Sequence, residues 1–205
     1  MKEWLKAESI KDIEKFYDDK YRKNGFDVFR KDDWSKEISL LSEFGGEFLK
    51  DKTLIDFACG HGSFLLKVCD SLICDGVELS VKACSLAVER LANKVQIYNM
   101  LMEEYFAVND DLYDYVTCFG SLEHTEYPLG CFNDMMNLVK PGGILFISMP
   151  IEREDSLNHI QGEENQKNNE RFAHPEEWKN YFVKEPIHME IFGDDVFFIY
   201  RRDAE

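Results

Sequence analysis

The sequence predicts an α/β fold, a mostly parallel sheet with helices on both faces, and three observations carry that reading. From residue 53 to residue 150, short strand-like apolar runs alternate with segments whose apolar residues recur at helical spacing. The stretch DFACGHG (56–62) places a carboxylate and two glycines where a strand should turn into a helix, the position at which doubly wound sheets receive ligands. The closing stretch IHMEIFGDDVFFIYRR (187–202) reads as two strands around Gly193-Asp194-Asp195, an antiparallel hairpin that completes the sheet.

The elements follow in order. Residues 1 to about 50 read as helices, with apolar Ile13, Phe16 and Tyr17 and then Trp34, Ile38 and Leu41. TLIDFAC (53–59) is a buried strand and GSFLLKVCDS (62–71) a helix. ICDGVEL (73–79) is a second strand, SVKACSLAVERLAN (80–93) a helix and VQIYN (95–99) a third strand. YDYVTCFG (113–120) is a fourth strand, LGCFNDMMNLV (129–139) a helix stopped by PGG, and ILFISMP (144–150) a fifth strand. EREDSLNHIQGEENQKNNERFAH (152–174) is polar and without period, a long loop of the kind that is often functional. PEEWKNYFV (175–183) is a helix with Pro175 in its first turn. One domain, 1–205, is expected: an N-terminal helical lid (1–50), a core (53–150) and a closing segment (151–205). No internal repeat is visible.

Composition narrows the function classes. Hydrophobic residues are 44% and aromatics 14%, which excludes disorder. The net charge of −16 sets 40 acidic against 24 basic residues and disfavours duplex nucleic acid and anionic membranes as partners. No apolar run spans a bilayer, and MKEWLKAESIKDIEKFYDDKY lacks a signal-peptide core, so a cytoplasmic location is expected. Cys59, Cys69, Cys74, Cys84, Cys118 and Cys131 form no CxxC pair and read as reduced, packed thiols, with no metal site.

The glycine stretch carries the chemistry. Gly60 and Gly62 let backbone approach a ligand closely. Glu78, in GVELS at the end of the second strand, can accept both hydroxyls of a ribose, so a nucleoside is expected. A dinucleotide fingerprint wants a third glycine, but Leu65 stands there, and Asp56 is unwelcome to pyrophosphate. A cationic nucleoside without phosphate fits better.

Four segments resemble the motifs of class I S-adenosylmethionine-dependent methyltransferases, small-molecule type: LIDFACGHGSFLL, GVELS, YDYVTCFGSLEHTEYP and LVKPGGILFISMP, in the family's order over roughly residues 53 to 150. The resemblance implies a seven-stranded Rossmann-like sheet in the order 3-2-1-4-5-7-6 with the last strand antiparallel, in agreement with the hairpin. It implies S-adenosylmethionine as cofactor and S-adenosylhomocysteine as product. Asp56 would orient the methionine end of the cofactor. Ala58, Cys59, Gly60 and Gly62 would form the loop beneath it, Glu78 would hold the ribose, and Leu79 would pack on adenine. Where the family usually has an acidic residue near the adenine amine, this chain has Met100 followed by Leu101; their backbone groups, or Glu103, would serve. Phe119, Gly120 and Ser121 would line the methionine portion. Tyr17, Tyr21, Phe26 and Phe29 lie on the N-terminal lid, and Tyr17 and Tyr21 would cover the cofactor.

Direct displacement from a sulfonium needs alignment and no enzyme nucleophile. A hydroxyl acceptor also gains from a general base. His124, in SLEHTEYP, is the catalytic candidate, with His159 and His174 as alternatives beside the polar loop. His61 reads as an exposed passenger and His188 as a strand residue. A small-molecule acceptor is expected, with O-methylation favoured over N-methylation, and a homodimer is compatible with the sequence. The competing readings are a nicotinamide-dependent oxidoreductase and a non-catalytic cofactor-binding module.

Overall fold

The computed structural model describes residues 10–25, 33–46, 51–151 and 174–204. Phe26, Phe29, His159 and nearly all of the polar loop, 152–173, lie outside the described residues.

The chain runs α1 (Ile10–Asn24), α2 (Ser35–Gly45), β1 (Thr53–Phe57), α3 (Leu65–Val68), β2 (Ile73–Glu78), α4 (Val81–Leu91), β3 (Gln96–Asn99), α5 (Met102–Val108), β4 (Tyr113–Phe119), a 3-10 turn (Leu122–His124), α6 (Pro128–Leu138), β5 (Val139–Pro150), α7 (Pro175–Phe182), β6 (His188–Phe192) and β7 (Asp195–Arg201). The seven strands form one sheet in the order β3-β2-β1-β4-β5-β7-β6. Every pairing from β3 to β5 is parallel, and β7 is antiparallel to both β5 and β6. Fold class and strand order match the sequence expectation.

The central strands read as near-continuous apolar runs because both of their faces are covered. Alternate side chains feed two cores. Ile55, Phe57, Val116, Cys118, Leu145 and Ile147 pack with Phe132 and Met135 of α6 and Trp178 of α7 on one face. Leu54, Tyr115, Ile144 and Phe146 pack with Leu40 and Leu41 of α2, Leu65 of α3 and Leu91 of α4 on the other. Trp178 is fully buried, and its Nε1 donates to the Pro150 carbonyl at 2.8 Å. That bond pins α7 to the carboxyl end of β5. Removing such a ring typically costs about 3–5 kcal/mol.

Four boundaries differ from the sequence reading. The first strand stops at Phe57, because Ala58 turns to φ +55°. The helix after it is one turn, Leu65–Val68, because residues 60–64 are spent on the glycine turn. The PGG segment does not stop α6, which ends at Leu138; residues 140–143 form an irregularity where the β4–β5 register jumps from Tyr113↔Val139 to Tyr115↔Ile144. The sequence reading also assigned no helix to 102–108, which is α5, closed at its start by the Leu101 amide donating to Glu104 Oε2 at 3.1 Å. Among the described residues, no helix is long and apolar enough to cross a membrane.

Candidate active site

The crevice lies at the carboxyl ends of β1, β2 and β4. Asp56 is the penultimate residue of β1 and is 3% exposed. Its Oδ1 accepts from the Thr117 hydroxyl on neighbouring β4 at 2.7 Å. Burial, opposed by that hydrogen bond and assisted by nearby Glu78, pushes its carboxyl up to about 7.

Beyond Phe57 the chain makes the glycine turn, held by Cys59 N donating to Val77 O at 3.1 Å and Gly62 N to Cys59 O at 3.0 Å. Gly60 and Gly62 have φ of +56° and +74°, open to glycine at little cost. A Cβ on Gly62 would stand 2.9 Å from Leu91 Cδ1, so that glycine lets α4 approach the turn. A Cβ on Gly60 would stand 2.6 Å from the Tyr21 hydroxyl.

Glu78 ends β2 and is buried. Its Oε2 accepts from Gly60 N at 2.9 Å and its Oε1 from Ser80 N at 2.8 Å. Burial raises its carboxyl and the amide donors partly offset this. One carboxylate thus fixes both the glycine turn and the start of α4. Among the described residues, the ion pairs involve neither Asp56 nor Glu78. Two buried acids without a basic partner repel pyrophosphate and suit a cationic nucleoside.

The remaining expected residues divide. Leu79 is half-buried beside Asn99, whose Nδ2 donates to the carbonyls of Glu78 and Leu79 at 3.0 and 2.8 Å. Met100 packs on the core beneath β3, and the Leu101 amide is taken by Glu104. Phe119 turns its ring among Trp34, Phe64 and Phe146, with centroids 5.6, 5.1 and 5.0 Å away. Gly120 follows at φ +58° with open space where a side chain would be, its amide donating to Ser148 O at 3.1 Å. Ser121 is half-buried, with its hydroxyl 3.3 Å from Phe119 O.

The N-terminal helix brings two tyrosines to this crevice. Tyr17 and Tyr21, one helical turn apart, share a face of α1. The Tyr17 ring meets His124 edge-on at 6.1 Å, and the Tyr21 ring meets His61 at 5.9 Å. Burial, then Glu123 and Glu78, push the Tyr17 phenol well above its ordinary range; burial, then Glu78, does the same at Tyr21. His124 ends the 3-10 turn after β4, with its Nε2 3.7 Å from Glu123 Oε1. The Glu123 side chain is 4% exposed and that of His124 is 19% exposed.

His61 corrects the sequence reading. It is 5% exposed, not an exposed passenger, because Tyr21 lies against it. His188 sits in β6 as expected, and His174 precedes α7. Ser80 and Asp18 were missed. Ser80, just before α4, fits the helix-start signal; no local pattern marks Asp18. The six cysteines are free thiols, and Cys69 alone among them is not buried. Among the described residues, no group of three or more His, Cys, Asp or Glu stands ready to hold a metal.

Comparison with known proteins agrees with this geometry. A family model described as a methyltransferase domain matches residues 26–187. A ubiquinone biosynthesis O-methyltransferase of Serratia proteamaculans is 33% identical over 117 residues, covering 53% of this chain and 46% of the relative. The chain thus spans about half the length of the curated relatives it matches. Among solved structures, a putative methyltransferase of Haloferax volcanii, in complex with the Trm112 methyltransferase activator, superposes with a TM-score of 0.72 at 13% identity, over 93% of this chain and 97% of that one. Phosphoethanolamine N-methyltransferase 2 of Haemonchus contortus, bound to phosphomonomethylethanolamine and S-adenosylhomocysteine, gives 0.60 at 21% identity over 77% of this chain and 38% of that one. At these identities the structural likeness speaks for the fold.

Proposed function

We propose, on the premise that this chain belongs to the class I S-adenosylmethionine-dependent methyltransferase family, that it methylates a hydroxyl of a small-molecule acceptor. The nicotinamide reading falls with that membership. The observation that carries the proposal is the pair of buried acids, Asp56 and Glu78, flanking the glycine turn without a basic partner among the described residues.

S-adenosylmethionine, when bound, supplies a methyl group on a sulfonium that departs as a neutral thioether. Glu78 would accept the ribose hydroxyls, Asp56 would face the charged methionine end, and the turn from Ala58 to Gly62 would lie beneath it. Gly120 offers open backbone at the end of β4, and Tyr17 and Tyr21 cover the crevice. The protein then contributes mainly alignment and exclusion of water. For the acceptor, His124 would take the hydroxyl proton, a role its place beside Tyr17 supports. Glu123, buried beside it, favours the imidazolium that results. The resemblance over half the chain to ubiquinone-pathway O-methyltransferases supports oxygen over nitrogen as the acceptor atom.

The net charge of −16 favours a freely diffusing acceptor over nucleic acid or an anionic membrane. The unbridged cysteines fit a reducing, cytoplasmic setting. A homodimer gains no support, since the Haloferax volcanii neighbour was solved with a different protein.

The test is S-adenosylhomocysteine release with phenols and catechols set against primary amines. Hydroxyl acceptors should turn over, and His124→Ala should slow them by about 10²–10⁴-fold while leaving cofactor affinity within a factor of about two. Turnover confined to amines, or His124→Ala at wild-type rate, would refute the hydroxyl reading. Cofactor binding without turnover on any acceptor would favour the non-catalytic module.

A further inference from the structure

Between the two crevice tyrosines, α1 carries an aspartate whose contacts reach 62 residues along the chain. Asp18 Oδ1 accepts from the Ser80 hydroxyl at 2.5 Å and from the Lys82 backbone amide at 3.0 Å. Its other oxygen lies 3.5 Å from Arg22 Nη2, one turn further along α1. Ser80 is the N-cap of α4, and its Oγ accepts from Ala83 N at 3.1 Å. Asp18 therefore shares the capping of α4 with Ser80: two donors at the start of an 11-residue helix converge on a carboxylate from another helix. Negative charge is favoured there, and hydrogen bonds to an ionised acceptor are the stronger kind.

The contacts close into a ring. Ser80 N donates to Glu78 Oε1, and Glu78 Oε2 takes Gly60 N. Gly60 lies beneath the Tyr21 hydroxyl, and Tyr21 lies three residues after Asp18 on α1. Burial pushes the Asp18 carboxyl up, but its bonds from Lys82 N, Ser80 and Arg22 more than offset this and hold it below the ordinary range. Glu78 in turn feels Asp18 as a repelling charge. Two carboxylates are thus held near one another by backbone donors, an arrangement that a cationic ligand in the crevice relieves.

We propose that Asp18 is a positioning residue for the cofactor: by capping α4 it latches α1 over the crevice, and Ser80 couples that latch to the carboxylate of Glu78. The coupling rests on the reading that Glu78 receives the ribose; the latch does not. Asp18 touches no reacting atom. It holds Tyr17 against His124 and Tyr21 over Gly60, and it should govern how long the cofactor stays bound more than how fast it arrives.

Hydrogen exchange on the full chain, with and without S-adenosylhomocysteine, tests this in the wild type, Asp18→Ala and Asp18→Asn, alongside calorimetric affinities. In the ligand-free Asp18→Ala protein, the α1 amides should exchange faster by about tenfold or more while those of β1 and β4 stay protected. S-adenosylhomocysteine affinity should fall by about tenfold, within the usual span of coupling factors, and dissociation should account for most of it. Asp18→Asn, which keeps an acceptor oxygen and loses the charge, should fall between. In the wild type, S-adenosylhomocysteine should slow α1 exchange, as reciprocity demands. Unchanged α1 exchange in the ligand-free Asp18→Ala protein would overturn the latch. Faster α1 exchange with unchanged affinity would overturn the coupling. Failure of S-adenosylhomocysteine to bind the wild type would count against the cofactor reading, and the ligand-free exchange would still decide the latch.

Discussion

Strands β1 and β4 lie side by side, and each carries an aspartate, Asp56 near one end of the pair and Asp114 near the other. Asp114 gathers three donors on one oxygen. Its Oδ2 takes the Thr53 amide at 2.9 Å, the Thr53 hydroxyl at 3.0 Å and Lys140 Nζ at 2.8 Å. Burial alone would raise its carboxyl, but Lys140 and Thr53 more than offset this and hold it below the ordinary range. Asp56 is the more deeply buried of the two, receives one hydroxyl bond from Thr117, and is pushed up to about 7. Asp114 ties the bottom of the sheet together. Asp56 is understandable as a group that completes its interactions with a ligand.

The comparison can be broken at several points. The largest effect is expected at Glu78→Ala, which removes the proposed ribose acceptor and also releases Gly60 N and Ser80 N. Each charge-assisted bond is worth roughly 1.5–3 kcal/mol, so S-adenosylhomocysteine affinity should fall by at least about tenfold, and by about a hundredfold if the turn loosens as well. Calorimetry reads this directly, and unchanged affinity would remove Glu78 from the site.

Next comes the aspartate pair itself. Asp114→Asn leaves Lys140 facing a neutral group and should destabilise the fold by about 1–3 kcal/mol in urea titrations, with cofactor affinity untouched. Thr117→Val should act least. Losing its hydroxyl removes the bond that lowers the Asp56 carboxyl, so the pH midpoint of cofactor binding should move upward while affinity at high pH changes by less than about tenfold.

The two aspartates also have opposite pH signatures. The folded value of Asp56 lies above its unfolded one, so its contribution to stability is fully present below the ordinary carboxyl range and is lost as pH rises toward about 7. The folded value of Asp114 lies below its unfolded one, so its contribution is present above the ordinary carboxyl range and is lost as pH falls through the folded value. Stability curves of the two asparagine variants against the wild type should therefore diverge in different windows, between the ordinary carboxyl range and about 7 for Asp56 and in acid for Asp114.

The strands, the closing hairpin and the glycine bend were legible in the sequence because they are written locally; the strand order came from the family resemblance. Apolar runs with turns between them mark the strands, and a carboxylate beside GHG marks the bend. Ser80 was legible in principle as a helix-start residue. What sequence spacing did not carry is set by contacts between distant segments. His61 looks like an exposed loop residue until Tyr21, on a helix forty residues earlier, lies against it. Asp18 looks like one more acid in a charged helix until α1 meets α4. The helix of residues 62–71 shrank to one turn because the glycine bend that makes the site uses up its start. The ring of Phe119 belongs to an aromatic cluster with Trp34, Phe64 and Phe146, a three-dimensional grouping that no single segment reveals.

The central claim is that a buried aspartate at the glycine turn, without a basic partner among the described residues, receives a cationic, phosphate-free nucleoside. Calorimetric titration of S-adenosylmethionine across pH 5 to 9, in the wild type and in Asp56→Asn, tests it most directly. In the wild type, affinity should rise with pH through about 7, with proton release below that value, and level off above it. In Asp56→Asn the profile should be flat, with affinity lower than the wild-type plateau by about 10–100-fold and a melting temperature no lower than that of the wild type. A wild-type profile already flat through this range, or Asp56→Asn binding as tightly as the wild type at pH 8, would contradict the account.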